Sequence, residues 1–477
     1  MTNARRHGAR NPDDEMSYSH YRMSKAVDDV ARSAGFTTTV TSAKGLIGHV
    51  WRRLGFGPAP GDTNAADPSA LIESLLAKAP AVPPIGADPW GISTVDSAGL
   101  GSVMALMAAA PNPLQERMWW TMHGLVVCGI VDSVYYADVR DHMLLARRAV
   151  GGASGGYKQY LLDVSTRAGM LKYLSGFTNV AGHPNENYAR ELLELFSIGR
   201  VNPVTGASNY DQTDIREIAR ALTGWQYDWN TGGTSFNVSQ WDNGAKTFLG
   251  AARGAAKLND VIDAVAAHPS WLVYVPGRLY RDLTGLVASP SDLSALAGVW
   301  GTTGDIRATV AAIVRSPAFL SDACVFSKVK TPVELLVAAS RLLGVSLAGD
   351  ANLSWYLVQL GQQPLVPPNV AGWPPGDRWL ASSSLVTWSS IANALAMRGF
   401  AWNGAVTAPT APTATLVASS ASAATAADFV LHLAGLDDAS PKTRSLLNDY
   451  ATTGSWSAWR AAALLNLLLL TPEFLAN

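Results

Sequence analysis

The segment from Asn185 to Gly199 constrains the fold more than any other. Tyr188, Ala189, Leu192, Leu193, Leu195 and Phe196 fall on one arc of a helical wheel, and Asn187, Arg190, Glu191 and Glu194 fall on the opposite arc. Only an α-helical period separates the two sets in this way. Asn185 after Pro184 supplies an N-cap, and Gly199 supplies a stop. A second helix follows. Asp211 and Asp214 resemble a capping box, Ile215, Ile218, Ala219 and Leu222 form its apolar stripe, and Gly224 ends it. The same spacing opens the folded part at Ala43, where Leu46, Ile47, Val50, Trp51 and Leu54 share a face before Gly55 and Gly57. It returns from Val261 to about Leu343, and no run of alternating strands is visible. The expected fold is all-α or nearly so, a large irregular multi-helix domain with long functional loops.

The expected organisation is a polar arm over residues 1–40, a helical core over 41–403, and an Ala/Thr/Ser/Pro-rich linker or surface excursion over 404–427. Helices over 428–477 pack back on the core. Two long loops stand out: 226–250, with Gly232-Gly233 and the aromatics Tyr227, Trp229, Phe236 and Trp241, and the Pro-rich stretch 363–378. Loops of that length are more often functional than ordinary connections. Arg5 and Arg6 are followed by no apolar run, so a standard N-terminal signal is not expected. The most apolar segment, Ala461 to Leu470, is about half the length needed to span a bilayer and reads as a buried helix, so no integral membrane protein is expected.

Composition removes several function classes. Among 477 residues, Lys plus Arg number 36 against 37 for Asp plus Glu. With no basic surplus or stripe, nucleic acid is excluded as a partner. Cys128 and Cys324 form no CxxC pair, which excludes a zinc site of thiolates. There is no HExxH motif and no Gly-x-Ser-x-Gly elbow, and the Gly-rich run 151–156 lacks the Lys of a phosphate loop.

The Asn187, Arg190, Glu191, Glu194 stripe is the sharpest candidate site. Facing a cleft, its carboxylates suit acid–base work, because Arg lowers one pKa while burial raises another. They equally suit a divalent cation as cofactor, held through oxygen. Two structural readings stand beside these: a solvated face with ordinary helix ion pairs, and a buried ion-pair network. His123, beside Trp119 and Trp120, reads as a ligand, a supporting base or a hydrogen-bonded core residue. His142 and His183 are similar candidates. The chain carries 16 tryptophans. Trp225, Trp241 and Trp373, in or beside loops, suit stacking on sugar rings with Asp242 and Arg378 as polar partners, or else staple the loops to the body.

Several segments resemble the bacterial domain-of-unknown-function 1800 family. The strongest is Asn185-Glu186-Asn187-Tyr188-Ala189-Arg190-Glu191-Leu192, running on to Gly199. Tyr210 to Trp225, Lys246-Thr247-Phe248-Leu249-Gly250, Pro367 to Pro374, and Trp51 to Gly57 follow the same pattern, and the match covers about residues 45–475. The resemblance implies a sulfatase-like partner protein and frequent export, but no reaction. The chain also departs from the pattern. Thr121 stands at the first histidine of a Trp-His-x-His stretch ending at His123, and Trp241-Asp242 stands where the family has His-Asp.

The expected function is therefore an acidic and aromatic pocket that binds or processes a polar substrate such as a polysaccharide or smaller saccharide. Glu191 and Glu194 are its carboxylates, Asn187 and Arg190 their orienters, and His123 a supporting base. Two alternatives come from other classes: a noncatalytic accessory or scaffold that docks a partner protein, and a metal-dependent oxidoreductase. Glu191→Gln separates the first from the pocket, and stoichiometric iron or copper would mark the second.

Overall fold

A computed structural model describes residues 42–84, 87–88, 97–131, 134–374, 376–397 and 411–477. The arm expected over 1–40 and residues 404–410 of the expected linker lie outside the described residues. The described residues are mostly helical, with two short two-stranded antiparallel sheets. The helices that bear on the site are α1 (Ala43–Gly55), α2 (Pro113–Leu125), α3 (Tyr136–Val150), α4 (Gly156–Ser165), α5 (Ala168–Tyr173) and α6 (Asn187–Glu191). After them come α7 (Gln212–Ala221), α8 (Tyr274–Thr284), α9 (Pro332–Leu343), α10 (Pro412–Ser420) and α11 (Ala458–Leu469).

Local chemistry accounts for their ends. Asp211 and Asp214 do form the capping box of α7. The side chain of Asn112 accepts from the Gln115 amide ahead of Pro113 at the start of α2. The stop of α1 differs from expectation: Gly55 lies inside the helix, and Phe56 takes the left-handed conformation, φ 65°.

The stretch over 225–254 makes the fold mostly helical rather than strictly all-α. It contributes two hairpins, β1 (Trp225–Tyr227) with β2 (Thr234–Phe236), and β3 (Lys246–Phe248) with β4 (Ala251–Gly254). Leu249 and Gly250, both at positive φ, form the turn between β3 and β4, the signature of a mirror-image turn that matches strand twist. A Leu is held there because its amide donates to Asp214 Oδ1 of α7, at 2.7 Å.

One continuous buried cluster runs from Ile47 to Ala476, so the C-terminal helices share the core of the rest. α11 contributes Ala461, Ala462, Leu464, Leu465, Leu468 and Leu469 to it, the buried helix read from the sequence. Among the described residues no helix is long and apolar enough to cross a membrane. The stretch expected as a linker contains α10, whose Thr413, Ala414 and Val417 are buried, and Thr413 Oγ1 donates to the Leu342 carbonyl at 2.7 Å. Small residues that read as a linker also permit close helix contact, which is what α10 makes with α9 and α11. At Gly48 of α1 an added Cβ would sit 1.8 Å from the Gly435 carbonyl oxygen, so that crossing requires glycine.

A buried charge cluster ties α2, α8 and α9 together. Arg117 pairs with Asp282 at 2.9 Å and Glu334 at 3.1 Å, and Lys328 pairs with Asp282 at 2.6 Å and Glu334 at 3.3 Å. Thr121 Oγ1 donates to Asp282 Oδ2 at 2.6 Å. Burial alone would raise the Asp282 carboxyl, but the Arg117 and Lys328 charges outweigh it and hold the group well below the usual carboxylate range. Glu334 is lowered by the same two cations against its burial.

Removing Arg117 takes the buried cation from Glu334 and from the half-buried Asp282, leaving both to Lys328 alone. Arg117→Met is expected to destabilise the protein by about 3–5 kcal/mol, read as a lower Tm at pH 7. Both carboxylates titrate below their unfolded values, so their contribution is present above about pH 4 and is lost as the pH falls below it. The Tm gap between wild type and variant should therefore narrow toward pH 3. A gap that stays constant from pH 7 to pH 3 rules out this account of the cluster.

Candidate functional site

The Asn185–Gly199 segment does not continue as an α-helix. After the short α6, residues Leu192–Ser197 form a π-helix, a wider turn frequent at functional sites. Its carbonyls are taken by groups from other elements. Tyr157 Oη of α4 donates to Phe196 O at 2.6 Å, Tyr274 Oη of α8 to Glu194 O at 2.9 Å, and Arg278 Nη1 of α8 to Leu195 O at 2.7 Å. Asn209 Nδ2 reaches the Ile198 and Gly199 carbonyls at 2.8 and 2.9 Å. Gly199 lies at φ 71°, and a Cβ there would sit 2.4 Å from the Tyr274 ring. Glycine is what lets that ring reach the helix.

This turn carries Glu191 and Glu194, both half-buried. Among the described residues neither carboxylate has a hydrogen bond or an ion pair. Burial first, and the Glu194 charge second, push the Glu191 carboxyl up to about 7, with Arg190 opposing. Arg190 itself turns back along the helix, pairing with Glu186 at 3.1 Å and donating to Gln212 Oε1 at 3.2 Å. Asn187 is exposed. The stripe is thus split, with Arg190 in a surface ion pair and the two glutamates unpaired.

Two tyrosines border the glutamates. Tyr173 of α5 is pushed up to about 12 by burial, with the nearby Cys128 and Glu191 adding to the rise. Tyr210 has a buried hydroxyl without a hydrogen-bond partner, and burial first and Glu194 second raise its pKa. Both phenols stay protonated near neutral pH and are able to donate. Sequence reasoning missed them. Tyr210 carried a signal, opening the second family segment just before its helix cap, but Tyr173 carried none.

The other expected site residues lie elsewhere. His123 is fully buried at the end of α2, 5.5 Å from the Trp120 ring and 5.4 Å from the Trp373 ring between centroids. Neither of its ring nitrogens has a hydrogen-bond partner. Burial first, and His142 second, bring its pKa down to about 3. His142 is buried too and bonds the Val126 carbonyl at 2.7 Å, whereas His183 is exposed. The 363–374 loop covers this end of α2: Ile130 N donates to Leu365 O at 2.8 Å, and a Cβ on Gly129 would meet Pro367 at 2.2 Å.

Trp225 and Trp241 both contact Phe236, at 5.6 and 6.3 Å between ring centroids. The Trp241 ring is occupied by cations, with Lys257 Nζ at 4.4 Å and Lys246 Nζ at 5.4 Å. Asp242 pairs with Arg220 at 2.7 Å and accepts from the Gly244 amide. Arg378 is exposed on a short 3-10 turn, Gly376–Leu380. The candidates therefore fall in separate places: the glutamates on the π-turn, His123 with Trp373 under the 363–374 loop, and Trp225, Trp241 and Asp242 on the hairpins.

A small cavity of about 20 Å³ lies beside the start of α6, lined among others by Asn179, Asn185, Tyr188 and Trp225. It has room for about one water rather than a sugar. Among the described residues no group of three or more His, Cys, Asp or Glu side chains is arranged to hold a metal ion.

The family segments are neighbours that hold one another. Thr247 and Leu249 amides bond Glu217 and Asp214 of α7, and Arg220 of α7 clamps Asp242. The Arg190–Gln212 bond joins α6 to α7. No curated protein and no solved structure matches the chain. Its ordered segments, and the contacts that make them depend on one another, place it in one family: over residues 49–476 it belongs to the family described as protein of unknown function (DUF1800).

Proposed function

We propose that the π-turn is an acid–base site acting on a polar substrate of the saccharide class, with Glu191 moving the proton. The observation that carries this reading is an unpaired, half-buried carboxyl raised to about 7. Such a group holds and releases a proton near neutral pH, which is what a general acid or base requires. Glu194 is the second carboxylate. Its charge helps keep the Glu191 proton on, and its oxygens are placed to stabilise developing positive charge or to orient water. The phenols of Tyr173 and Tyr210 supply hydrogen-bond donors beside the carboxylates. His123 takes no part in the proton transfer here, because it lies under the 363–374 loop, and an imidazole whose pKa is brought down to about 3 is too weak a base to take up a proton at neutral pH. Trp225, Trp241, Trp373, Asp242 and Arg378 take no part in the proton step either.

Stability gives the first test, and it needs no substrate. The folded pKa of Glu191 lies above its unfolded value, so ionisation opposes folding once the pH exceeds about 4.3. Glu191→Gln removes that opposition. Its Tm is expected to exceed wild type at pH 8 and to equal it at pH 4. The rival reading, an accessory protein docking a sulfatase-like partner with a structural stripe, expects a lower Tm for the variant at both pH values.

Turnover gives the second. In a panel of aryl glycosides assayed from pH 4 to 9, hydrolysis is expected to show an inflection near 7, the value Glu191 takes in the fold. Glu191→Gln should lower kcat by about 100-fold or more and abolish the inflection. Turnover unchanged in the variant would rule out Glu191 as the proton carrier.

A further inference from the structure

The first hairpin carries aromatic surface that the fold does not use. Trp229 is 56% exposed and Tyr135, just ahead of α3, is 62% exposed. Tyr227 meets Trp229 edge-on at 4.8 Å between centroids, and Phe177 meets it edge-on at 5.6 Å. Behind these rings the ammonium of Lys172, on α5, is completely buried. It lies 4.0 Å from the Tyr227 ring, 4.9 Å from Tyr135 and 5.8 Å from Trp229, and it pairs with Asp138 at 2.8 Å. Cation–π attraction from one fixed charge holds three rings from two elements in a single arrangement. Exposed aromatics gain little for stability, but pre-ordered ones lower the entropy lost on binding.

We infer that Trp229 and Tyr135, ordered from behind by Lys172, and Phe177, edge-on to Trp229, form a stacking platform for a neutral glycan. The surroundings favour a sugar over a protein partner. Asp228, Asn230, Thr231 and Thr178 are exposed around the rings, so isolated flat faces sit in a hydrogen-bonding rim rather than in a continuous apolar patch. A pyranose offers that combination, an apolar face and a girdle of hydroxyls, whereas a docked protein needs broader apolar contact. Charge favours a neutral sugar over an acidic one: the Lys172 charge is balanced by Asp138, and Asp228 adds a negative charge at the rim.

The inference rests on the saccharide part of the proposed function and places its grip on Trp229, Tyr135 and Phe177, not on Trp225, Trp241 or Trp373. The test is calorimetric titration of the full chain with cellohexaose and with chitohexaose, following tryptophan fluorescence in parallel. At least one hexasaccharide is expected to bind with quenching. Trp229→Ala should weaken it by about tenfold or more. Trp355→Ala, an equally exposed tryptophan elsewhere at 56%, should leave binding unchanged. Both variants replace surface side chains, and unchanged circular dichroism confirms that they fold. No binding of either sugar to wild type, or equal loss in both variants, overturns the platform. Glu191→Gln should bind the hexasaccharide as wild type does. Binding lost only in Trp229→Ala while Glu191→Gln leaves turnover intact would sink the acid–base reading and keep the platform.

Discussion

The wide turn at Leu192–Ser197 is the constraint on which the candidate site depends. An α-helix satisfies its own carbonyls, but a π-turn with an abrupt end leaves several pointing outward, and a buried unpaired carbonyl is expensive. Here Tyr157, Tyr274, Arg278 and Asn209 answer that need from α4, α8 and the 200–209 loop. The buried cluster of Arg117, Asp282, Glu334 and Lys328 fixes α8 against α2 and α9. The glutamates are thus positioned by helices far away in sequence, and the raised Glu191 carboxyl follows from the burial those helices impose.

Much of this fold could be read in the sequence, because its signals were local. The amphipathic arcs, the Asp211 capping box, the buried C-terminal helix and the Glu191–Glu194 pair all rest on spacing within a few turns. What escaped had no local signal. β1 to β4 are each three or four residues long, too short for alternation to show. The π-turn depends on donors more than thirty residues away along the chain. Arg190 stood midway between acids on both sides of the helix, and only the approach of Gln212 shows that it turns toward Glu186. The tryptophans were marked as loop aromatics, but which faces stay free depends on Lys246 and Lys257 reaching Trp241 and on Lys172 lying behind Trp229.

The departures from the family pattern gain a physical meaning from α2. Residues two apart on an α-helix point about 200° from each other. Thr121 faces the charge cluster and donates to Asp282, whereas His123 faces Trp120 and Trp373. A histidine at 121 would lie among Arg117, Asp282 and Glu334, in surroundings unlike those of His123. A histidine at 121 would therefore add nothing to the neighbourhood of His123. Thr121 fills its position as a neutral donor to a carboxylate that already has two cationic partners.

The same reasoning explains how these segments hold one another in this chain. Asp214, Glu217 and Arg220 recur along one face of α7, and each holds a different part of the 242–249 stretch: the Leu249 amide, the Thr247 amide and the Asp242 carboxylate. A Leu at positive φ is tolerated at 249 only while Asp214 anchors its amide. α7 is joined in turn to α6 through Gln212, which donates to Glu186 at 2.6 Å and accepts from Arg190. Most polar residues of these motifs are thus accounted for by contacts among the motifs themselves. Glu191, Glu194 and the Tyr210 hydroxyl are exceptions. The two glutamates are half-buried and lack the partners that would explain a structural role, and burial raises the Glu191 carboxyl, so a fold that satisfies its neighbours so fully leaves these two groups unexplained.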